Sequence, residues 1–195
     1  QELFPGIQVD EAELMEKLSI GRTPVREALF RLVTINLLLS EPGRGFMVRP
    51  IGLDDVKHLF EAAMVIWRAA DVFATEFISE NILESLCSIN SALRDAAIEA
   101  DIRSLNLLNS KFHCTVHDSI KNDFIRHSVQ LLEPQYSRLS YLNLSNTKVN
   151  LHDYYQLIAQ DHDDLIDAFR EKDGNKVFQI STVHLKRFNS KITKY

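Results

Sequence analysis

The chain has 195 residues and a formal net charge of -5, with 45% apolar and 25% charged residues. This is the composition of an ordinary globular protein, and the length allows one large domain or two smaller ones. No apolar run approaches the roughly 20 residues of a membrane span, and no basic-then-apolar leader indicates secretion. We therefore expect a cytoplasmic protein, and the two distant cysteines without CxxC spacing agree with a reducing compartment.

Turn-forming residues divide the chain near residue 50. Proline and glycine recur before that point, whereas afterwards Pro134 is the only proline and glycine is nearly absent until Gly174. Long stretches without either residue favour long helices with short connections. The sequence therefore predicts a small domain over residues 1–50 and an all-helical domain over residues 51–195.

A helix-turn-helix pattern begins the first part. Residues 10–18 have helical spacing with acidic residues first, and residues 19–21 form a tight turn. Thr23 is then predicted to cap a second helix, with Pro24 at its first position, where a missing N–H does no harm. The predicted buried stripe of this helix consists of Val25, Ala28, Leu29, Leu32 and Val33. Helix, glycine-containing turn and helix together indicate a DNA-binding motif.

Two strand-like runs follow, over residues 37–40 and 46–49. Between them, residues 41–45 form a turn with Arg44 at its tip. A hairpin directly after the second helix is typical of the wing of a winged helix-turn-helix domain.

The second part is predicted to be a bundle of six helices. Their stripes of apolar residues and the intervening breaks place them at about 54–78, 81–99, 102–121, 123–145, 150–171 and 174–193. The predicted fold class is therefore mainly α, with a small β-hairpin wing near the N-terminus.

Positive charge is concentrated where DNA contact is expected. Residues 20–50 carry a net charge of +3 although the whole chain is acidic. Arg22 and Arg26 lie one turn apart near the start of the second helix, so both can face one groove, and Arg44 can reach the minor groove. The candidate DNA-binding residues are Arg22, Thr23, Arg26, Gly43, Arg44 and Gly45.

These motifs resemble a known family. The run Ser19-Ile20-Gly21-Arg22-Thr23-Pro24-Val25-Arg26-Glu27-Ala28-Leu29, followed by Pro42-Gly43-Arg44-Gly45-Phe46-Met47-Val48, is similar to the GntR family of bacterial regulators, FadR-type branch. The resemblance implies a homodimeric transcription regulator, not an enzyme, with a helical effector-binding (FCD) domain. It also implies a further helix before Pro5-Gly6, which would be cut off here, and a basic DNA-contacting residue where this chain has Ala12.

The resemblance also implies a divalent metal in the helical domain. The spacing of Asn109 and His113 alone places both on one helix face, where they can bind one ion. The family pattern of Asp-x-x-x-His and two later histidines matches Asn109, His113, His162 and His184, with Asn109 in place of the acid. Such ligands suit zinc, nickel or manganese. The histidines interpreted as surface or structural residues are His58, His117, His127 and His152.

Open coordination positions on such an ion suit a carboxylate effector, whose other end an arginine would hold. Arg138 is the first candidate for that role and Arg68 the second, while Trp67 is either a cavity wall or a core residue. Two alternatives stay open. In one, the histidines hydrogen-bond an effector or water in a metal-free pocket. In the other, the chain is a metal-dependent hydrolase or lyase, although no nucleophile motif appears and helical spacing points Asp161 and Asp163 away from His162.

Overall fold

The computed structural model describes residues 4–146 and 150–192. The chain divides into two compact units, residues 1–56 and 57–195, each described here by itself. No helix within the described ranges is both long enough and apolar enough to cross a membrane.

The first unit is a winged helix-turn-helix. Its elements in chain order are β1 (Gln8–Val9), α1 (Glu11–Leu18), α2 (Arg22–Thr34), β2 (Leu38–Glu41) and β3 (Gly45–Val48). The strands form one antiparallel sheet in the order β1-β3-β2, with Leu38 opposite Val48 and Gln8 opposite Met47. The predicted helices and hairpin wing are confirmed, whereas β1 was not predicted.

The helix starts are set by short-range hydrogen bonds. The Asp10 carboxylate caps α1 by accepting from the backbone N–H groups of Ala12 and Glu13, and Ser19 ends the helix in the left-handed conformation with φ 54°. The prediction that Thr23 caps α2 is wrong, because the capping residue is Gly21, which has no side chain to bond the first turn. The helix therefore begins at Arg22, and Pro24 still lies in the first turn, where its missing N–H leaves no bond unmade.

A small apolar core joins α2 to the sheet. Its buried members are Val9, Val25, Leu29, Leu38, Phe46 and Val48, with Leu14, Met15, Leu32 and Val33 packed at its edge. Ala28 was predicted to be buried and is exposed, because only one narrow face of α2 meets the sheet and α1. The opposite face of α2 is exposed.

The second unit contains the six predicted helices. They are α3 (Leu53–Ala74, which starts just before the division), α4 (Glu80–Ile98), α5 (Ile102–Asp118), α6 (Asp123–Asn146), α7 (Leu151–Arg170) and α8 (Gly174–Ile192). The largest difference is that α3 ends at Ala74 and not near residue 78. The Lys172 ammonium donates to the backbone carbonyls of Thr75 and Ile78, which stabilises an irregular turn there.

Buried side chains from α4, α5, α6 and α7 form one apolar cluster of this unit. Its members are Leu93, Ala96, Ala97, Leu105, Leu144, Tyr154, Tyr155, Ile158 and Ala159. This packing fixes the relative positions of α5 and α7, which carry two of the predicted metal-binding histidines.

Candidate effector site and DNA interface

Three histidines from three helices meet inside the helical unit. His113 on α5, His162 on α7 and His184 on α8 are all buried, and each offers one ring nitrogen within 4.8 Å of the others. The Nε2 atoms of His113 and His184 are 3.1 Å apart. The His162 ring stacks on Phe112 at a centroid distance of 3.8 Å, which holds its plane.

The hydrogen bonds of Asn90 set the tautomer of His162. The Asn90 side-chain nitrogen donates to the Ala159 carbonyl at 2.8 Å and to Asp163 Oδ1 at 2.7 Å, so its oxygen faces His162. That oxygen lies 3.1 Å from His162 Nδ1, which therefore carries the proton. His162 Nε2 is left as a bare lone pair, and no residue within 4–146 and 150–192 bonds to it. A metal-binding histidine is commonly held in this way through its other nitrogen.

His184 is oriented through its outer nitrogen as well. Its Nδ1 lies 3.3 Å from Asp161 Oδ2, and the same carboxylate accepts from Arg187 at 2.9 and 3.1 Å. Burial raises the pKa of Asp161, but the bonds from His184 and Arg187 outweigh it, and that pKa lies below its ordinary value. Asp161 is thus an ionised acceptor that turns His184 Nε2 towards the cluster.

The electrostatics keep two of the three rings neutral. Burial, together with repulsion from His184, lowers the pKa of His113 to about 3 and that of His162 well below its usual range. Neutral imidazoles offer lone pairs at neutral pH, as metal binding requires.

The cluster fits a metal ion. The 3.1 Å separation of two Nε2 atoms is close to the edge of a zinc tetrahedron, about 3.3 Å for a Zn–N distance of about 2.0–2.1 Å. The buried, unpartnered Nε2 of His162 would be costly to leave without an ion or another partner. These residues can therefore hold a metal ion.

A cavity opens beside the cluster. It is narrow, and its walls are Trp67, Asn109, His113, Tyr136, Ser140, Tyr154, Tyr155, Ile158, His184, Leu185 and Phe188. Asn109 thus lies on the same wall as two of the three histidines. Arg138 and Arg68 are not among the lining residues. Arg68 instead lies over the Phe178 ring at 4.9 Å and contacts Thr182.

A second buried pair lies next to the cluster. His117 Nε2 is 2.9 Å from Asp71 Oδ1, and the Ser181 hydroxyl donates to Asp71 Oδ2 at 2.7 Å. Burial raises the pKa of Asp71, but the hydrogen bond and charge of His117 more than offset it, so the net shift is downwards. His117, interpreted from sequence as surface or structural, is therefore a buried structural residue that ties α5 to α3.

The predicted DNA-binding face of the first unit is exposed, and two of its arginines lie close to one carboxylate, that of Glu11. Arg22 and Arg26 at the start of α2 approach Glu11 Oε2 at 3.9 and 3.6 Å, and 70% and 39% of their side-chain surface is exposed. The Arg26 guanidinium also lies 5.6 Å from the centre of the Phe46 ring. Thr23 is exposed beside them.

The wing supplies the other predicted DNA-binding residues. Gly43 and Gly45 have φ of 75° and 83°, values that side chains other than glycine rarely adopt, and Arg44 is exposed between them. A Cβ atom on Gly45 would lie 3.8 Å from Glu11 Oε1. Glu11 therefore lies near Gly45 of the wing and pairs with the arginines at the start of α2.

Sequence reasoning missed Asn90, Asp71 and Glu11. Asn90 interrupts the buried α4 stripe that includes Leu86 and Leu93, and a polar residue at such a position is the signal that could have revealed it. Asp71 is likewise a charged residue among the buried positions of α3. Glu11 had no such signal, because an acidic residue in a first helical turn is ordinary.

Comparison with known proteins accounts for both units. The family model described as "Bacterial regulatory proteins, gntR family" matches residues 1–48, and the FCD domain model matches residues 58–187. The chain belongs to the GntR family of regulators with an FCD domain. It is therefore a transcription regulator with a DNA-binding helix-turn-helix and an effector-binding domain, and the predicted family and fold class are confirmed.

Individual relatives agree with this assignment. The chain is 22% identical to the HTH-type transcriptional repressor RspR of Escherichia coli K12 over 97% of its own length and 81% of that protein. It is 25% identical to the HTH-type transcriptional regulator LutR of Bacillus subtilis over 100% and 95% of the two chains. The solved structure of E. coli McbR/YncC has the same fold, with a TM-score of 0.82 at 23% identity over 94% of this chain and 85% of that one. These relatives are regulators and not enzymes.

Proposed function

We propose that operator binding by this regulator is modulated by a small carboxylate effector, bound at a divalent transition metal in the helical domain. The observation that carries this proposal is that three buried histidine nitrogens converge and two of those histidines line the cavity. An ion held there would present an open coordination position to a molecule in the cavity.

The ligands would be His113, His162 and His184, with Asn109 as a fourth oxygen donor. All four are neutral when they bind, so the ion would keep its full double charge. An anionic effector would bind such an ion more strongly than one that already has a carboxylate ligand, because the charge of the ion is not yet compensated. Imidazole and amide donors suit zinc, nickel or manganese. The arginines predicted to hold the effector, Arg138 and Arg68, lie off the cavity wall and stay predictions.

In the DNA-binding domain, Arg22, Thr23 and Arg26 would contact the major groove, and the wing would follow the adjacent backbone. One arginine would read a base edge and the other would hold phosphate, while Gly43 and Gly45 let the backbone approach closely and Arg44 enters the minor groove. A homodimer would bring two such domains to a two-fold-related operator in the cytoplasm. Effector binding would shift the population of dimer arrangements that fit the operator.

Metal content tests the sensing half of the proposal. Purified chain is measured by mass spectrometry after loading with zinc, nickel or manganese and removal of excess ion. We expect about one equivalent in the wild type, loss in His162→Gln, and wild-type content in His152→Gln, whose histidine is exposed on the same helix. A wild type without bound metal would instead support a metal-free effector pocket.

The DNA-binding half is tested on a duplex selected from a random pool. We expect Arg22→Ala and Arg26→Ala each to weaken binding to DNA. In the variant that loses a phosphate contact, the slope of log K against log salt concentration should decrease in magnitude by about 0.9. Arg31→Ala, an exposed arginine near the other end of α2, is the matched control and should bind as the wild type does. Binding unaffected in the double Arg22→Ala, Arg26→Ala variant would contradict the assignment.

A further inference from the structure

The cavity beside the histidines has an aromatic wall. The rings of Trp67 and Tyr136 are 4.5 Å apart at their centroids, and those of Tyr136 and Phe188 are 4.4 Å apart. Trp67 also stacks on His113 at 6.0 Å with an interplanar angle of 18°. An effector in this cavity would therefore contact aromatic rings.

Two polar atoms of this wall have no partner in the part of the chain that the structure describes. Trp67 is 4% exposed and Tyr136 is 6% exposed, yet Trp67 Nε1 and the Tyr136 hydroxyl make no hydrogen bond to any residue that the structure describes. Leaving a buried donor unsatisfied costs about 1–3 kcal/mol. The indole N–H can only donate, and burial raises the pKa of Tyr136, so its hydroxyl stays protonated and can donate as well. Because both residues line the cavity, an acceptor oxygen of a bound molecule is the partner that would satisfy these donors.

That acceptor is not a second anion. Among residues 4–146 and 150–192, no lysine, arginine, aspartate or glutamate lines the cavity. A carboxylate at the aromatic end would be buried without a counter-ion, which is strongly unfavourable. A ketone, ether or hydroxyl oxygen accepts the same hydrogen bonds without this penalty.

We infer that the effector is a small monocarboxylate with a neutral acceptor oxygen at its far end, and that Trp67 and Tyr136 recognise this oxygen. The inference rests on the proposed function, in which the carboxylate binds at the metal. It assigns specificity to two neutral donors, so the regulator discriminates against dicarboxylates of the same length.

The composition of the chain provides a direct readout. Trp67 is the only tryptophan, so a ¹H–¹⁵N correlation spectrum of the chain contains one indole N–H peak that needs no assignment. Zinc-loaded chain is titrated with three five-carbon acids: pentanoate, 4-oxopentanoate and glutarate. They share one carboxylate and differ at the far end, which is apolar, a neutral acceptor or a second anion.

We expect 4-oxopentanoate to move the indole proton downfield and to bind about tenfold more tightly than pentanoate, as one or two hydrogen bonds imply. Glutarate should bind more weakly than either. Tyr136→Phe and Trp67→Phe keep the aromatic wall, and each should reduce the preference for 4-oxopentanoate over pentanoate several-fold, measured by titration calorimetry because Trp67→Phe has no indole peak. Tyr141→Phe, a half-buried tyrosine of α6 off the cavity wall, should keep the full preference.

The zinc content of each sample is measured alongside. A chain that retains no zinc contradicts the proposed metal site and with it this inference. Zinc-loaded chain that binds glutarate as tightly as 4-oxopentanoate, or that shows no preference for 4-oxopentanoate over pentanoate, overturns this inference and leaves the metal site standing. A preference that persists undiminished in both phenylalanine variants overturns the assignment of Trp67 and Tyr136.

Discussion

Replacing Asn90 by leucine tests how the metal-binding tautomer is set. Asn90 is 1% exposed, and its amide makes the bonds to Ala159, Asp163 and His162. Leucine has nearly the same volume but no polar atoms, so His162 Nδ1–H loses its acceptor while the packing volume is kept. The proton can then move to Nε2, the atom that would bind the ion.

The expected magnitudes follow from these bonds. Loss of a residue that orients a metal-binding histidine lowers metal affinity about 10- to 100-fold, or about 1.4–2.8 kcal/mol. The metal-free chain should also lose about 2–4 kcal/mol of unfolding free energy, from the lost bonds and the buried donor left unsatisfied.

Zinc affinity is measured by competition with a chromophoric chelator, and the free energy of unfolding by urea titration in EDTA. Asn81→Leu makes the same chemical change at an exposed position in the first turn of α4, and both quantities should stay at their wild-type values. A folded Asn90→Leu chain that binds zinc as tightly as the wild type would refute the tautomer argument.

Two further predictions concern stability. Because His113 has a folded-state pKa of about 3 against an unfolded value of about 6.5, the unfolded chain binds more protons between these pH values. The free energy of unfolding of the metal-free chain should therefore fall by about 1.4 kcal/mol per pH unit, owing to this histidine, as the pH falls below about 6.5. In His113→Gln, the slope of unfolding free energy against pH should be smaller by that amount. Asp10→Ala removes the two capping bonds of α1 and should destabilise the winged domain by about 1 kcal/mol, measured by thermal unfolding, whereas Glu16→Ala, on the exposed side of α1, should change little.

The helices were predictable because their signals are local. After Gly52 the chain has only one further glycine, Gly174, and one proline, and with apolar residues at helical spacing this predicted six helices to within a few residues of their observed ends. The strand β1 could not be predicted, because two residues have no periodicity and form a strand only by pairing with Met47 and Phe46. Ala28 was misjudged for a related reason, since the width of a buried stripe depends on what packs against it.

The candidate site was predictable only in part. The histidines were predicted from the family pattern. The hydrogen bonds that orient them come from residues far away in sequence, such as Asn90, which is 72 positions from His162. The resemblance could not reveal Trp67 and Tyr136 as neighbours, because their contact depends on how α3 and α6 pack. Charge pairing at the DNA face was equally hidden, since Glu11 and Arg26 meet only through the turn between two helices.

The carboxylate of Glu11 has a consequence for how the regulator searches a chromosome. Any DNA phosphate that approaches Arg22 or Arg26 must compete with this anion, whatever the base sequence. For an exposed ion pair the competition is worth about 0–1 kcal/mol, up to about fivefold in affinity. The penalty is the same at every site, so it does not change the ratio of operator to random binding. It does lower the fraction of protein held by bulk DNA and shortens each non-specific encounter, whereas operator occupancy stays the same while bulk DNA holds most of the protein, because operator affinity falls by the same factor.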